Sequence, residues 1–148
     1  MSEPAYYEDV EIGDTQSFGE YEVTKEEVLE FAEKYDPQPF HVDEEAARES
    51  MFGGLIASGW HTASMTMRMF ADNIVEETNS TGALGVDELR WKRPVRPGDT
   101  LRVEMEILDK EPWNDSLGIV HSGTKVFNQD DVEVMSYVGL LLFRMRDA

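Results

Sequence analysis

The chain contains no cysteine, which excludes disulfide frameworks, thiolate nucleophiles and zinc–thiolate sites. Basic residues are scarce: 13 Lys and Arg stand against 31 Asp and Glu, a formal charge of −18. Nucleic acid and anionic membrane surfaces both require a basic footprint and would repel such a chain. No apolar run approaches the roughly eighteen residues needed to span a bilayer. The opening Met1-Ser2-Glu3-Pro4 has neither the basic stretch nor the apolar core of a signal peptide. These absences lead to the expectation of a soluble, cytoplasmic protein without nucleic-acid or membrane partners.

What is present suits a globular fold. The 148 residues are 41% hydrophobic and 10% aromatic, enough for one domain over residues 1–148 that buries roughly 68–70% of its unfolded surface. The carboxylate excess destabilises a compact state by self-repulsion, which salt screens. A halophilic protein, adapted to a salty cytoplasm, is the expectation.

Periodicity divides the chain into a helical first half and a stranded second half. Thr24 with Glu27 makes a capping-box pattern, and Val28, Phe31, Ala32 and Tyr35 recur at helical spacing. Asp36-Pro37 should end that helix and Gln38-Pro39 should keep the chain extended, so residues 36–40 are predicted as a stiff, non-helical connector. Asp43 reads as the N-cap of a short helix ending near Ser50. A long helix should begin at Ser58-Gly59, with Trp60, Ala63, Met67, Phe70 and Ile74 as its main apolar face and Met65 and Met69 extending it.

Beyond it, Leu101, Val103, Met105 and Ile107 alternate with Arg102, Glu104 and Glu106, a strand with one wet face. Segments 84–95, 117–128 and 132–145, with an early strand around 15–23, bring the total to at least five. A buried helix against a curved antiparallel sheet defines an α+β domain.

Two segments carry chemistry. Tyr35-Asp36-Pro37-Gln38-Pro39-Phe40-His41 places a carboxylate, an amide and an imidazole within six positions. If the connector turns back, Asp36 and His41 converge and together activate a water. If it does not, Asp36 caps a helix end and His41 packs at the core's edge. In the second segment, Gly53 to His61, Gly59 opens the long helix. There its N–H is unobstructed, and the helix N-terminus favours an anionic oxygen. The same glycine also permits close packing, and the segment alone does not separate the two roles.

The order Asp36-x-Gln38-Pro39-x-His41, then Gly54-Leu55-Ile56-Ala57-Ser58-Gly59, then Trp91-x-x-Pro94-Val95-x-Pro97-Gly98-Asp99 resembles the MaoC-like acyl dehydratases, the R-specific enoyl-CoA hydratases. The resemblance extends from about residue 8 to residue 145. It implies a hot-dog fold, a homodimer or higher homo-oligomer, and lyase activity on acyl-CoA thioesters. Asp36 and His41 then match the water-activating pair, and Gly59 matches the donor to the thioester oxygen. No metal or cofactor is implied, coenzyme A being part of the substrate. Gln38 stands where relatives usually carry Asn. The long helix offers Met65, Thr66 and Met67 where some relatives place an assisting polar group.

Gln38, Ser58, Trp60 and His61, beside the catalytic positions, are candidate substrate-binding residues. Lys92 and Arg93 join them as phosphate ligands from a basic run that also holds Arg90, Arg96 and Arg102. His121 has no acidic partner at a suggestive interval, and His41 with Asp43 offers too few ligands for a metal. Two rival functions share these residues: a thioesterase, which would direct water to the carbonyl, and a non-catalytic acyl-CoA-binding subunit.

Overall fold

The computed structural model describes residues 3–147. Helices α1 (Lys25–Tyr35), α2 (Pro39–Val42), α3 (Glu44–Glu49) and α4 (Gly59–Asn73) lie between strand β1 (Thr15–Glu22) and strands β2 (Ser80–Trp91), β3 (Thr100–Pro112), β4 (Leu117–Phe127) and β5 (Glu133–Arg144). The five strands form one sheet in the order β1-β3-β4-β5-β2, antiparallel at every pairing. α4 packs on β1 and β3. Its Met65, Met69 and Phe70 join Leu101, Val103, Val126 and Met135 in the core.

The expected strands are all present, with shifted ends. β2 begins at Ser80 rather than 84 and stops at Trp91, three residues before Pro94, and β3 runs on to Pro112. β1 bends where its register shifts between Phe18 and Tyr21. Gly19 takes φ +90° there, and a side chain on it would collide with Met69. Only glycine allows both the turn and the close approach of α4.

Two helical expectations need correction. Residues 36–40 are not wholly non-helical, because Pro39 starts α2. Asp36 and Gln38 are out of the α region as pre-proline sterics require, but proline's fixed φ suits a helix's first position. The buried face of α4 is also rotated from the apolar stripe. Trp60 and Met67 are more than half exposed, while His61, Thr62, Met65, Thr66, Met69 and Phe70 are buried. Threonines can occupy that face because their hydroxyls donate to carbonyls four residues back, Thr66 to Thr62 at 2.8 Å and Thr62 to Ser58 at 3.5 Å.

Candidate active site

Helix α1 and the turn α2 deliver the acidic and imidazole groups. The Thr24 hydroxyl accepts from the Glu27 N–H and starts α1, and Asp36 closes it with its N–H on the Ala32 carbonyl. The extended pre-proline residues followed by α2 fold the chain back, so that His41 Nε2 comes to 3.4 Å from Asp36 Oδ2. Both side chains are largely shielded, with 6% of the His41 and 18% of the Asp36 side chain exposed.

Each group is oriented by its neighbours. The Gln38 amide donates to Asp36 Oδ1 at 2.6 Å, and the Ser58 hydroxyl donates to Asp36 Oδ2 at 2.7 Å. His41 Nδ1 lies 2.8 Å from the Ile56 carbonyl. A carbonyl only accepts, so Nδ1 carries a hydrogen, and a ring that holds its hydrogen at Nδ1 turns the Nε2 lone pair toward Asp36. Burial pushes the Asp36 carboxyl upward. The hydrogen bonds from Gln38 and Ser58 and the adjacent imidazole outweigh that effect and hold it below the ordinary aspartate value. A carboxylate and a nitrogen lone pair thus face the same point, where a water can donate to both.

The end of α4 completes the arrangement. Ser58 is its N-cap, yet its hydroxyl makes no cap bond and is spent on Asp36. The Ser58 carbonyl takes the His61 and Thr62 N–H groups, and among the described residues the Gly59 N–H has no acceptor. A free N–H at the positive end of a 15-residue helix is an anion-binding position. A Cβ at Gly59 would fall inside the Trp91 indole. The two roles open in the sequence therefore coexist: the Cα face packs on Trp91 while the N–H stays available.

A cavity of about 670 Å³ opens over these groups, lined by Asp36, Gln38, His41 and Gly59 together with Trp60, Trp91, Lys92, Arg93 and Arg96. Ser58 lies fully buried behind Asp36. Trp60 meets Trp91 edge-on at 5.0 Å. Lys92 is ion-paired with Glu133.

Arg96 reaches the cavity by a built turn: its guanidinium donates to the Phe52 carbonyl at 2.5 Å and its N–H to Asp99 at 2.9 Å. Arg102 is engaged elsewhere, between Glu104 and Asp131. Sequence reading did not anticipate the Ile56 carbonyl or the cover of Trp91 over Gly59. A backbone acceptor leaves no residue-type signal, and Trp91 was visible only as a motif position.

His61 is not at this cavity. It lines a separate pocket with Tyr21, Glu27, Phe31 and Arg68. Its Nε2 lies 3.2 Å from Glu27 Oε1 and its ring stacks on Phe31 at 4.8 Å. Burial lowers its pKa more than Glu27 raises it. The Tyr21 hydroxyl, pushed up to about 12 by burial and Glu27, donates to the same Glu27 oxygen. Thr66 does not line the Asp36 cavity either. Asp43 caps α3. His121 does have acidic neighbours, Glu111 at 3.6 Å and Asp109, which the β3–β4 pairing brings across the sheet where no sequence interval could show them.

A long helix packed on one antiparallel sheet is the arrangement of a hot-dog fold. The chain belongs to the MaoC-like domain family, whose model matches residues 9–127. It is similar to the MaoC-like dehydratase from Rhodospirillum rubrum, with 37% identity and a TM-score of 0.88 over 97% of this chain and 99% of that one. The R-hydratase PhaJ1 from Pseudomonas aeruginosa shares 27% identity with a TM-score of 0.75, over 96% of this chain and 86% of that one. The 3-hydroxybutyryl-CoA dehydratase of Methylorubrum extorquens is 31% identical over 72% of this chain and 66% of its own length. The chain spans from 20% to 79% of the length of the curated relatives it matches. Among the described residues no helix is long and apolar enough to cross a membrane.

Proposed function

We propose that the chain adds water to trans-2-enoyl-CoA thioesters, giving (R)-3-hydroxyacyl-CoA, or runs the reverse dehydration. The observation that carries this reading is the 3.4 Å approach of Asp36 Oδ2 and His41 Nε2, with Nδ1 anchored on the Ile56 carbonyl. A water held between them gives up a proton to the pair as its oxygen bonds to the β-carbon. The double-bond electrons move toward the thioester oxygen, where the Gly59 N–H meets the developing charge. The pair then returns a proton to the α-carbon. Membership of a family that includes dehydratases supports the reaction class, and the R-hydratase relative supports the stereochemistry.

Arg93 and Arg96 are the cavity's candidates for the coenzyme phosphates, with Lys92 available once it leaves Glu133. An apolar cavity of about 440 Å³ beside the start of β2, lined by Met67, Phe70, Ile74, Leu141 and Phe143, suits an acyl chain. It shares no lining residue with the Asp36 cavity. The proposed assembly is a homodimer that places the two sites along one substrate.

Loss of the 2-enoyl absorbance of crotonyl-CoA, read beside a thiol assay, tests the reaction. Asp36→Ala or His41→Ala should lower the hydration rate by about 10²–10⁴. Free CoA thiol without hydroxyacyl product would indicate a thioesterase. Tight binding with no turnover across short, long and branched enoyl-CoA thioesters would indicate a non-catalytic subunit.

A further inference from the structure

We propose that Glu27, His61 and Tyr21 form a positioning clamp that sets the angle at which α1 presents Asp36 to α4. This rests on the hydration reading, because the distance the clamp governs is the one that reading uses. None of the three residues lines the Asp36 cavity, so they act through the backbone rather than on substrate.

The geometry joins three elements at one carboxylate oxygen. Glu27 Oε1, on the first turn of α1, accepts from the Tyr21 hydroxyl of β1 and faces His61 Nε2 of α4 at 3.2 Å. Four residues along α1, Phe31 stacks on the same imidazole, its ring within 9° of parallel. Residues four apart share a helix face, so α1 is gripped at two points by one side chain of α4 and cannot roll about its axis. Asp36 lies five residues beyond Phe31, and Ser58, which donates to it, lies three residues before His61. The helices therefore touch twice, once at the clamp and once at the reacting groups, and fixing the first contact restricts the second.

The imidazole is not there for packing alone. Its residue is only 3% exposed and its Nδ1 has no hydrogen-bond partner, so an apolar side chain of like shape would be easier to bury. What imidazole adds is the directional donor at Nε2.

The experiment compares Glu27→Leu, which removes the acceptor, with Glu27→Gln, which keeps a carbonyl oxygen for both donors. With crotonyl-CoA, Glu27→Leu should lower kcat by about tenfold to a hundredfold, the scale of an ångström-sized misplacement of reacting groups, with KM within about twofold of wild type. Glu27→Gln should restore most of kcat. In parallel, carbon NMR of the Asp36 carboxyl should show it titrating at higher pH in Glu27→Leu, where the Ser58 hydroxyl and the His41 ring no longer sit squarely on it, and as in wild type in Glu27→Gln.

The NMR readout needs no turnover, so a wild-type protein inactive on every enoyl-CoA would sink the hydration reading while the Asp36 signal still decides the clamp. Should Glu27→Leu fail to fold, Tyr21→Phe, which removes only a hydroxyl, is read in the same way with a smaller expected loss. Unchanged kcat and an unchanged Asp36 titration in a folded variant would overturn the proposal.

Discussion

At the scale of the residue, two positions at the start of α4, Ser58 and Gly59, depart from the usual pattern. A serine at an N-cap normally accepts from the helix's own N–H groups. Ser58 instead donates to Asp36, which stabilises the ionised acid. Ser58→Ala should cost about 1.5–3 kcal/mol of stability, as for a hydrogen bond to a charged group. It should also move the Asp36 carboxyl upward, toward the ordinary value.

The sign follows from linkage. A carboxyl held low in the folded state contributes stability above its unfolded pKa near 3.9 and loses it as pH falls through the folded value. The acid limb of kcat/KM should therefore shift to higher pH in Ser58→Ala, and an unchanged limb would show that Ser58 does not tune the acid. Gly59→Ala tests the other departure. Its Cβ must displace the Trp91 indole, at about 1–3 kcal/mol for overpacking. Circular dichroism should report a folded protein and the crotonyl-CoA assay a depressed kcat.

At the scale of the element, the sequence was most legible where one pattern served one purpose. The Thr24 cap of α1, the Asp43 cap of α3 and the alternation of β3 each reported a local structure that formed. The expected capping box is only half made, because the Glu27 carboxylate turns to Tyr21 and His61 instead of the Thr24 N–H. The meeting of Asp36 with His41 was legible only as a conditional, because it depends on Pro39 starting a helical turn rather than prolonging an extended one. The face of α4 was misread because polarity is a poor guide to burial where hydroxyls bond to their own helix. His61 was placed beside Gly59 on sequence proximity, but two residues along a helix turn a side chain to the opposite side.

β2 supports the element-scale prediction. Among the described residues it pairs only with β5 and leaves its other edge open, and Leu84 and Val86 are about half exposed. A long apolar edge is a template for another strand. The protein should run as a dimer in light scattering, and Leu84→Lys with Val86→Lys should drive it to a monomer. A monomeric wild type would remove the proposed assembly.

At the scale of the whole molecule, the acid surplus decides behaviour that no single contact explains. Asp99 is the only carboxylate among the buried polar residues described, so nearly all the negative charge lies at or near the surface. Several of the scarce cations are already committed: Lys25 to Glu44, Arg68 to Asp72, Arg102 to Glu104 and Asp131, and Arg146 to Asp9. Exposed pairs of this kind contribute only about 0–1 kcal/mol each and weaken in salt, so losing them costs little. The repulsion among uncompensated carboxylates is long-ranged by comparison.

Screening shortens its reach from about 10 Å at 0.1 M salt to about 3 Å at 1 M. Relief of about 2 kcal/mol of repulsion would raise the melting temperature by roughly 4–8 °C in a chain of this size. The melting temperature should therefore climb between 0.05 and 1 M KCl, and replacing Glu26, Glu30 and Glu33 on α1 with Gln should flatten the slope. Dimerisation should strengthen over the same range, since joining two like-charged copies at β2 adds repulsion that dilute buffer leaves unscreened. A melting temperature that ignores KCl would mean that the surface charge is compensated locally, and the salty-cytoplasm reading would fall with it.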